Sequence, residues 1–368
     1  MKLLHFADLH LDAQFAWMGG SAHAARRRRE ALRETLMRIL HLAQEERVDA
    51  VLCGGDLYEH DRCAPDTGPF LRQAFADIHP IPVFLAPGNH DWLGPASLYR
   101  LVAWTPNVHL FTESRLAPYR LDDGITLWGS AHQAPANTPD FLAEFRVDRS
   151  GVNLALFHGS EQASFAWEAA GKQPHAPFHA AEIARSGLDH AFLGHFHRGR
   201  MAGSHTYPGN PDPLDFGEEG ERGIVLATIQ PDGKVLREAR RVAVTPSHEV
   251  EVDITGCDSL TSIRRLIAEH LRGLRGVARV TLRGELDRAI DLRADDITGM
   301  DTDLDGLVIR TGNLTNGYDF DLLAGQPTVQ GQFVRDVLGA PDLDDAERRR
   351  ILITGLRALD GRRDLQVE

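Results

Sequence analysis

Short apolar runs that alternate with helical patterns are the feature that most constrains how this chain can fold. Between residues 1 and 230, seven runs have the length and composition of strands: 2–7, 49–53, 81–86, 125–129, 152–157, 189–193 and 223–229. A long helix is predicted over 22–46, between the first two runs. Strands that alternate with helices are typical of an α/β sandwich or a doubly wound sheet.

Five of these runs are followed by residue types that bind metal ions: Asp8 and His10, Asp56, the sequence Asn89-His90-Asp91, His158, and His195 with His197. Each group alone is weak, since turns favour Gly and Asn and a single histidine is more often a core or loop residue. Together they form an ordered set. Ligands of α/β sheets gather outside the carboxyl ends of the strands, so we expect these side chains to meet in one crevice. Oxygen and imidazole donors without thiolate suit manganese, iron or zinc.

The bulk properties set wider limits. A length of 368 residues predicts two or three domains. No apolar run reaches membrane length, the first residues lack the apolar core of a signal peptide, and three cysteines form no disulfide framework. We therefore predict a cytoplasmic protein with no membrane partner. The net charge of -13 argues mildly against a nucleic-acid partner.

Composition changes near residues 242–246 divide the chain. We predict a catalytic domain over 1–240, a small α/β domain over 247–325 and a C-terminal helical segment over 328–368. In the first domain, the arginine run 26–29 is expected on a solvated helix face, with contact to a DNA backbone as the alternative. In the last segment, the sequence FVRDVL fits either a helix that binds a partner's groove or one packed on its own domain.

The ordered set D-x-H, GD, GNHD, H and GHxH resembles the calcineurin-like metallophosphoesterase superfamily over about the first 230 residues. The resemblance implies a β-sandwich flanked by helices and two divalent metal ions that promote phosphoryl displacement through an activated hydroxide. One metal ion would be held by Asp8, His10 and His197. The other would be held by Asn89, His158 and His195, with Asp56 bridging both.

In the family pattern His90 faces the substrate and stabilises the transition state or protonates the leaving oxygen. Such an imidazole needs an orienting partner, and we predict Glu59 or Asp91 for this role. The chain reads GDLYEHD where protein phosphatases read GDxxDRG, which argues against a phosphoprotein phosphatase.

Within the superfamily, the stretches FADLHLD, GGDLYEHD, APGNHD, LGHFHRG and YPGNPDPLDFGEEG resemble DNA repair exonucleases of the SbcD and YhaO groups. The resemblance implies a Mn²⁺-dependent nuclease with 3′–5′ exonuclease activity on duplex DNA and endonuclease activity on single strands. Residues 247–325 would form a cap that helps to admit DNA, and 328–368 would dock a coiled-coil ATPase of the SbcC or YhaN kind. A homodimer is expected. The alternatives are a phosphodiesterase or phosphatase acting on a small molecule or nucleotide, and a non-catalytic scaffold.

Overall fold

Two units make up the chain, Met1–Pro246 and Ser247–Glu368, in the computed structural model of the protein. The structure describes residues 1–15, 22–136, 140, 142–148, 150–162, 174–216, 218, 222–287, 290, 292–293, 296–297, 300, 302–316 and 318–361. No helix within these ranges is long and apolar enough to cross a membrane.

The described part of the first unit contains twelve strands: β1 (Lys2–Phe6), β2 (Ala50–Cys53), β3 (Val83–Leu85), β4 (Val108–Leu110), β5 (Ala117–Asp122), β6 (Ile125–Gly129), β7 (Val152–His158), β8 (His190–Gly194), β9 (Arg200–Met201), β10 (His205–Tyr207), β11 (Gly223–Ile229) and β12 (Val235–Arg241). All seven predicted strands are present. In the same described ranges, four α-helices accompany them: α1 (Ala22–Glu45), α2 (Thr67–Ala76), α3 (Leu98–Leu101) and α4 (Ala180–Arg185).

The strands form two six-stranded sheets, in the orders β12-β11-β1-β2-β3-β4 and β5-β6-β7-β8-β10-β9. In the first sheet β1 to β4 run parallel, and in the second sheet β6, β7, β8 and β10 run parallel. The carboxyl ends of β1, β2 and β3 therefore lie at one edge of the first sheet, and those of β7 and β8 share one edge of the second.

A shared apolar core joins the inner faces of the two sheets. Leu3, Leu52 and Phe84 of the first sheet pack with Leu154 and Phe192 of the second. The outer face of the second sheet is covered too, since Phe157 and Leu193 pack with Ile183 of α4. Strands buried on both faces read as nearly continuous apolar runs, as NLALF does in β7. The predicted fold class, a metallophosphoesterase-type sandwich flanked by helices, is confirmed.

The second unit begins with β13 (Ser247–Asp253), α5 (Leu260–Leu271), β14 (Val277–Leu286) and β15 (Gly306–Asn316), and its three strands form a parallel sheet. Ile263 and Ile267 of α5, four residues apart and hence on one helix face, pack against Val252 and Val280. The Ser259 side chain caps α5 by accepting the N–H of Ser262.

Three helices follow β15 within the described residues: α6 (Phe320–Ala324), α7 (Val329–Leu338) and α8 (Asp345–Leu359). Val334 and Val337 of α7 are buried in a core with Leu352 and Leu356 of α8. The FVRDVL helix thus packs on its own unit, one of the two alternatives that its pattern allowed. Residues 362–368 of the predicted C-terminal segment lie outside the described residues.

One arginine of α1 departs from the predicted solvated face. Arg28 is only 1% exposed, although Arg26 and Arg27 beside it are exposed. Its guanidinium donates to Asp212 Oδ1 at 2.8 Å, to the carbonyl of Pro213 and to Thr245. Seven residues along the same face of α1, Thr35 donates to the other oxygen of Asp212 at 3.0 Å. The expectation of a fully solvated arginine run is therefore wrong at Arg28, because this guanidinium ties α1 to the end of the first unit.

Replacing Arg28 with alanine is expected to lower the free energy of unfolding by about 3–5 kcal/mol, because Asp212 would remain buried without its counter-ion. Arg26→Ala is the matched control, since this exposed arginine forms a surface pair with Glu30, and it should change stability by less than about 0.5 kcal/mol. Denaturant titration of both variants measures the difference. Equal stability of the two variants would contradict the structural role of Arg28.

Candidate metal centre

The loops that follow β1 and β2 lie against each other and carry the first candidate ligands. The backbone N–H of Asp8 donates to the carbonyl of Gly55 at 3.0 Å, and that of His10 donates to the carbonyl of Asp56 at 2.9 Å. From the second sheet, the N–H of His195 donates to both carboxylate oxygens of Asp8, at 2.9 and 3.1 Å. These bonds bring residues from both sheets to one place.

The Asp56 carboxylate lies at the centre of the cluster. Its Oδ1 accepts the backbone N–H of His90 at 2.8 Å. Its Oδ2 lies 3.6 Å from Nε2 of His10 and 3.3 Å from Nε2 of His158. Burial raises the pKa of Asp56, but the charges of His158 and His10 outweigh burial and hold it well below its usual range. An ionised carboxylate oxygen placed between two histidines has the position that a bridging ligand requires.

Asn89, His158 and His195 form one group of donors. Asn89 Oδ1 lies 3.0 Å from Nε2 of His158 and 3.2 Å from Nδ1 of His195, and these two ring nitrogens are 3.2 Å apart. The other nitrogen of His158, Nδ1, is 2.9 Å from the carbonyl of Gly54 and donates to it, so Nε2 is the nitrogen that faces the other candidate ligands. Burial lowers the pKa of His195 well below its ordinary value, so its ring is a neutral donor.

Asp8, His10 and His197 form the second group, with one ligand atom of each within 4.8 Å of the others. Nε2 of His10 is buried and has no hydrogen-bond partner among the residues that the structure describes, so this nitrogen is oriented like a ligand atom without its cation. The donors of both groups are imidazole, carboxylate and amide, a set that suits divalent transition metals. The arrangement therefore fits two cations with Asp56 between them. The group His10, Asp56 and His90 meets the same distance limit, so His90 is also close enough to bind a cation.

Glu218 supports His197, and the sequence analysis assigned it no role although it lies in the quoted stretch DFGEEG. Its Oε1 is 2.8 Å from Nδ1 of His197, and its Oε2 accepts the side-chain N–H of Asn210 at 2.6 Å. Burial raises the pKa of Glu218, but the bond to His197 outweighs it and lowers the pKa to about 2. A carboxylate behind a metal-binding histidine fixes the ring and increases its basicity. Gly217, Glu219 and Gly220 of this stretch lie outside the described residues.

Glu59 connects two histidines that have different predicted roles. Its Oε1 lies 2.7 Å from Nδ1 of His10, and its Oε2 lies 3.0 Å from Nδ1 of His90. The bond to Glu59 raises the pKa of His90 to about 9, while the pKa of Glu59 falls to about 2 because the two histidines outweigh the effect of burial. At neutral pH the pair is an imidazolium and a carboxylate. The His90 side chain is 46% exposed, so the oriented imidazolium faces the open side of the centre.

Asp91 lies elsewhere, beneath the loops. Its side chain is fully buried and accepts the backbone N–H groups of Asp56, Leu57 and Gly88, at 3.1, 2.7 and 2.6 Å, and the hydroxyl of Tyr99. None of its hydrogen bonds in the described structure reaches the ring of His90. The proposed orienting role of Asp91 is therefore not supported by the geometry, because its carboxylate is occupied in holding the GGD loop against the GNHD loop. Glu59 has the contact that an orienting residue needs.

Left-handed backbone is concentrated at the candidate ligands. Asp8, His10, Asp56 and His195 have φ angles of 54°, 50°, 53° and 111°. Residues with side chains adopt this region at a cost of about 1–3 kcal/mol each, so it persists only where the surroundings enforce it. The hydrogen bonds among the loops hold these four residues in this conformation and direct their side chains into the candidate metal centre.

Gly88 is required by the space around Asp56. A Cβ atom at this position would lie 2.3 Å from Asp56 Oδ1 and 2.8 Å from Nδ1 of His158. Gly88→Ala should therefore displace Asp56 and lower the affinity for divalent metal, with a loss of stability of about 1–3 kcal/mol from overpacking. Gly203→Ala is the matched control, since a Cβ there meets no atom within 4 Å. Calorimetric titration with Mn²⁺ and thermal melting test both variants, and normal metal binding by Gly88→Ala would refute this account.

Glu59→Gln should weaken binding of the metal ion on the His10 side by roughly 10- to 100-fold, because His10 would lose the carboxylate that fixes its tautomer. Asp61→Asn is the control, because it removes one negative charge from a nearby exposed position. Isothermal titration with Mn²⁺ measures both affinities. If the two variants bind with equal affinity, Glu59 does not support a metal ligand.

Comparison with known proteins finds similarity to metallophosphoesterases, which agrees with a centre suited to divalent metal ions. The sequence profile of the calcineurin-like phosphoesterase family matches residues 1–199. The metallophosphoesterase YhaO of Bacillus subtilis is 26% identical over 290 residues, which cover 75% of this chain and 68% of the relative. The DNA double-strand break repair protein Mre11 of Methanopyrus kandleri is 26% identical over 68% of this chain and 59% of its own length. Mre11 of Haloferax volcanii is 26% identical over 96% of this chain and 74% of its own length.

The family match covers the five loops that supply Asp8 and His10, Asp56, Asn89 and His90, His158, and His195 with His197. These are the residues that the two sheets bring together around Asp56. Proteins of this family are metal-dependent phosphoesterases, and the donor groups described above are suited to hold the divalent ions. The chain belongs to the calcineurin-like phosphoesterase family.

Proposed function

We propose that this protein is a Mn²⁺-dependent DNA nuclease that acts as a 3′–5′ exonuclease on duplex ends and as an endonuclease on single strands. The observation that carries the proposal is the position of Asp56 Oδ2, 3.6 Å from His10 and 3.3 Å from His158, with one donor group on either side. Such an arrangement serves phosphodiester hydrolysis.

DNA as the substrate is supported by the relatives. Three of them carry the name DNA double-strand break repair protein, and one match extends over 96% of this chain. A match of that extent includes most of the second unit, which begins at Ser247. The similarity therefore goes beyond a minimal phosphoesterase domain, which favours the nuclease over the alternative of a phosphodiesterase for small molecules or nucleotides.

In this proposal Asp8, His10 and His197 hold one ion, Asn89, His158 and His195 hold the other, and Asp56 bridges them. When bound, the two ions supply an activated water nucleophile and neutralise charge on the phosphate oxygens. The neutral amide of Asn89 limits the negative charge that the ligands add to the site. Glu218 and Glu59 fix the rings of His197 and His10, so the donors are oriented before the ions arrive.

His90 supplies the acid. Its ring is exposed toward solvent, and Glu59 keeps it protonated at neutral pH. The free Nε2–H donates a hydrogen bond to a phosphate oxygen and passes its proton to the leaving 3′ oxygen as the P–O bond breaks. Glu59 acts as a positioning residue, because it touches the imidazole rather than the substrate.

The second unit would serve DNA and partner binding. We propose that residues 247–325 form a cap and that 328–368 dock a coiled-coil ATPase of the SbcC or YhaN kind. Val329 of α7 and Ile351 and Leu359 of α8 are 74%, 37% and 45% exposed, apolar surface that suits a partner helix. A homodimer working in the cytoplasm completes the proposal.

Replacing His90 with alanine should lower the rate of duplex DNA degradation by roughly 10²- to 10⁴-fold, the usual contribution of a general acid. The assay uses end-labelled duplex DNA and Mn²⁺, with metal content measured on the same samples. Metal content equal to wild type would show that His90 acts on the substrate and is not a ligand. His41→Ala, on an exposed face of α1, is the control and should retain full activity.

Two results would contradict the proposal. Rapid hydrolysis of bis-p-nitrophenyl phosphate by wild-type protein without any degradation of DNA would support the small-molecule phosphodiesterase instead. A wild-type protein that binds no Mn²⁺, with a His90→Ala variant that behaves identically in every assay, would support the non-catalytic scaffold.

A further inference from the structure

A cavity of about 350 Å³ lies at one side of the sandwich, where the edge strands of the two sheets face each other. The β9 and β10 edge of the second sheet supplies one wall, through Arg200 and Tyr207. The β11 and β12 edge of the first sheet supplies another, through Arg240 and Arg241. The candidate metal ligand His197 also lines this cavity. The cavity is therefore directly adjacent to the metal centre but is not part of the donor set.

Arginine dominates the charge of this cavity. Five arginines line it and, among the described residues, no Asp or Glu does: Arg198, Arg200, Arg222, Arg240 and Arg241. The whole chain has a net charge of -13. A concentration of arginine residues around a cavity that includes a candidate metal ligand therefore needs a reason other than the composition of this acidic chain.

Three of the arginines are engaged by the protein. Arg222 donates to the carbonyls of His197 and Glu218, which makes it a structural support of the cavity wall. Arg200 lies 3.6 Å from Glu161, and Arg240 pairs with Glu238. Arg198 and Arg241 are exposed and form no ion pair within the part of the chain that the structure describes. These two guanidinium groups can therefore bind an anion without first breaking an internal pair.

We propose that this cavity binds a non-reacting phosphate group of the polynucleotide strand whose neighbouring phosphodiester lies at the metal centre. Guanidinium groups bind phosphate through paired, charge-assisted hydrogen bonds. The inference rests on the proposed nuclease function and adds the contact that tells a polynucleotide from a small phosphodiester. His197 borders both the cavity and the candidate metal centre. A strand that binds in the cavity would therefore place a neighbouring phosphodiester at the metal centre.

The charge of the cavity also explains how a protein with a net negative charge could bind DNA, which is itself negatively charged. A cleft of one sign raises the local concentration of an oppositely charged ligand even when the rest of the surface repels it. The cavity places that attraction at the metal centre rather than over the whole surface.

The test compares wild-type protein with the double variant Arg198→Ala/Arg241→Ala, using the full chain loaded with Mn²⁺. The substrates are a single-stranded thymidine 20-mer, which has phosphates beyond the scissile one, and bis-p-nitrophenyl phosphate, which has none. We expect the double variant to lower one ratio by at least about tenfold: kcat/KM for the 20-mer divided by kcat/KM for bis-p-nitrophenyl phosphate. The ratio should fall because KM for the 20-mer rises. The slope of log(kcat/KM) for the 20-mer against log salt should become shallower by roughly 0.7, the change that the loss of one phosphate contact on a single strand produces.

Arg115→Ala/Arg120→Ala is the matched control, because it removes the same charge from exposed positions at the opposite edge of the second sheet, in β5 and the loop before it. Its ratio and salt slope should equal those of wild type. If the two double variants lose 20-mer activity equally, the effect is one of net charge and the assignment is wrong. It is also wrong if Arg198→Ala/Arg241→Ala loses activity on both substrates in proportion.

A further arm separates a strand from a free nucleotide. If thymidine monophosphate inhibits wild type and its inhibition constant rises in the Arg198→Ala/Arg241→Ala variant as much as KM for the 20-mer, the cavity holds a free or terminal phosphate and the strand assignment is overturned. If wild type cleaves the 20-mer and the variant equals it, only the cavity assignment fails. If wild type hydrolyses the small diester but never the 20-mer, the proposed nuclease function fails and the cavity assignment fails with it.

Discussion

At Gly54 and Gly194 the ends of β2 and β8 approach so closely that neither position has room for a side chain. A Cβ atom at Gly54 would lie 2.9 Å from the backbone nitrogen of Gly194, and one at Gly194 would lie 2.2 Å from the carbonyl oxygen of Gly54. This approach brings Asp56 of one sheet to His158 of the other. Separating the sheets by the thickness of a methyl group would divide the donor set into two incomplete halves, so the centre depends on this contact.

The other interactions of the site keep the candidate ligands in place once the two glycines have brought the sheets together. The ligand loops adopt left-handed backbone at Asp8, His10, Asp56 and His195, at a cost that hydrogen bonds between loops and the buried core beneath them offset. Three carboxylates that are not candidate ligands have different structural roles. Asp91 holds two loops together, Glu218 fixes His197, and Glu59 fixes His10 while it keeps His90 charged. A single residue, Glu59, thus contacts both a candidate metal ligand, His10, and the proposed acid, His90.

The strands were largely predictable because burial on both faces leaves a plain apolar signature. The predicted bounds 125–129 and 223–229 agree with β6 and β11, whereas the predicted strand 81–86 shortens to Val83–Leu85. The four edge strands β4, β5, β9 and β12 escaped prediction, because they are at most partly buried and lack the continuous apolar signature of the central strands. The inner strand β10 also escaped prediction, since it has only three residues. The arginine run at 26–29 was misjudged at Arg28 because its partner, Asp212, is 184 residues away.

The sequence by itself determined the residue types of the site and their order along the chain, because each ligand follows a strand and parallel strands end at a common edge. It left open which carboxylate orients His90, and it gave no sign of the support that Glu218 provides or of a basic cavity in an acidic chain. Only the tertiary structure decided these points. Hydrogen bonds and ion pairs depend on contacts of a few ångströms, and here they join residues such as Asp8 and His195 that are 187 positions apart. Such distances are set by the packing of two sheets, which no local pattern encodes.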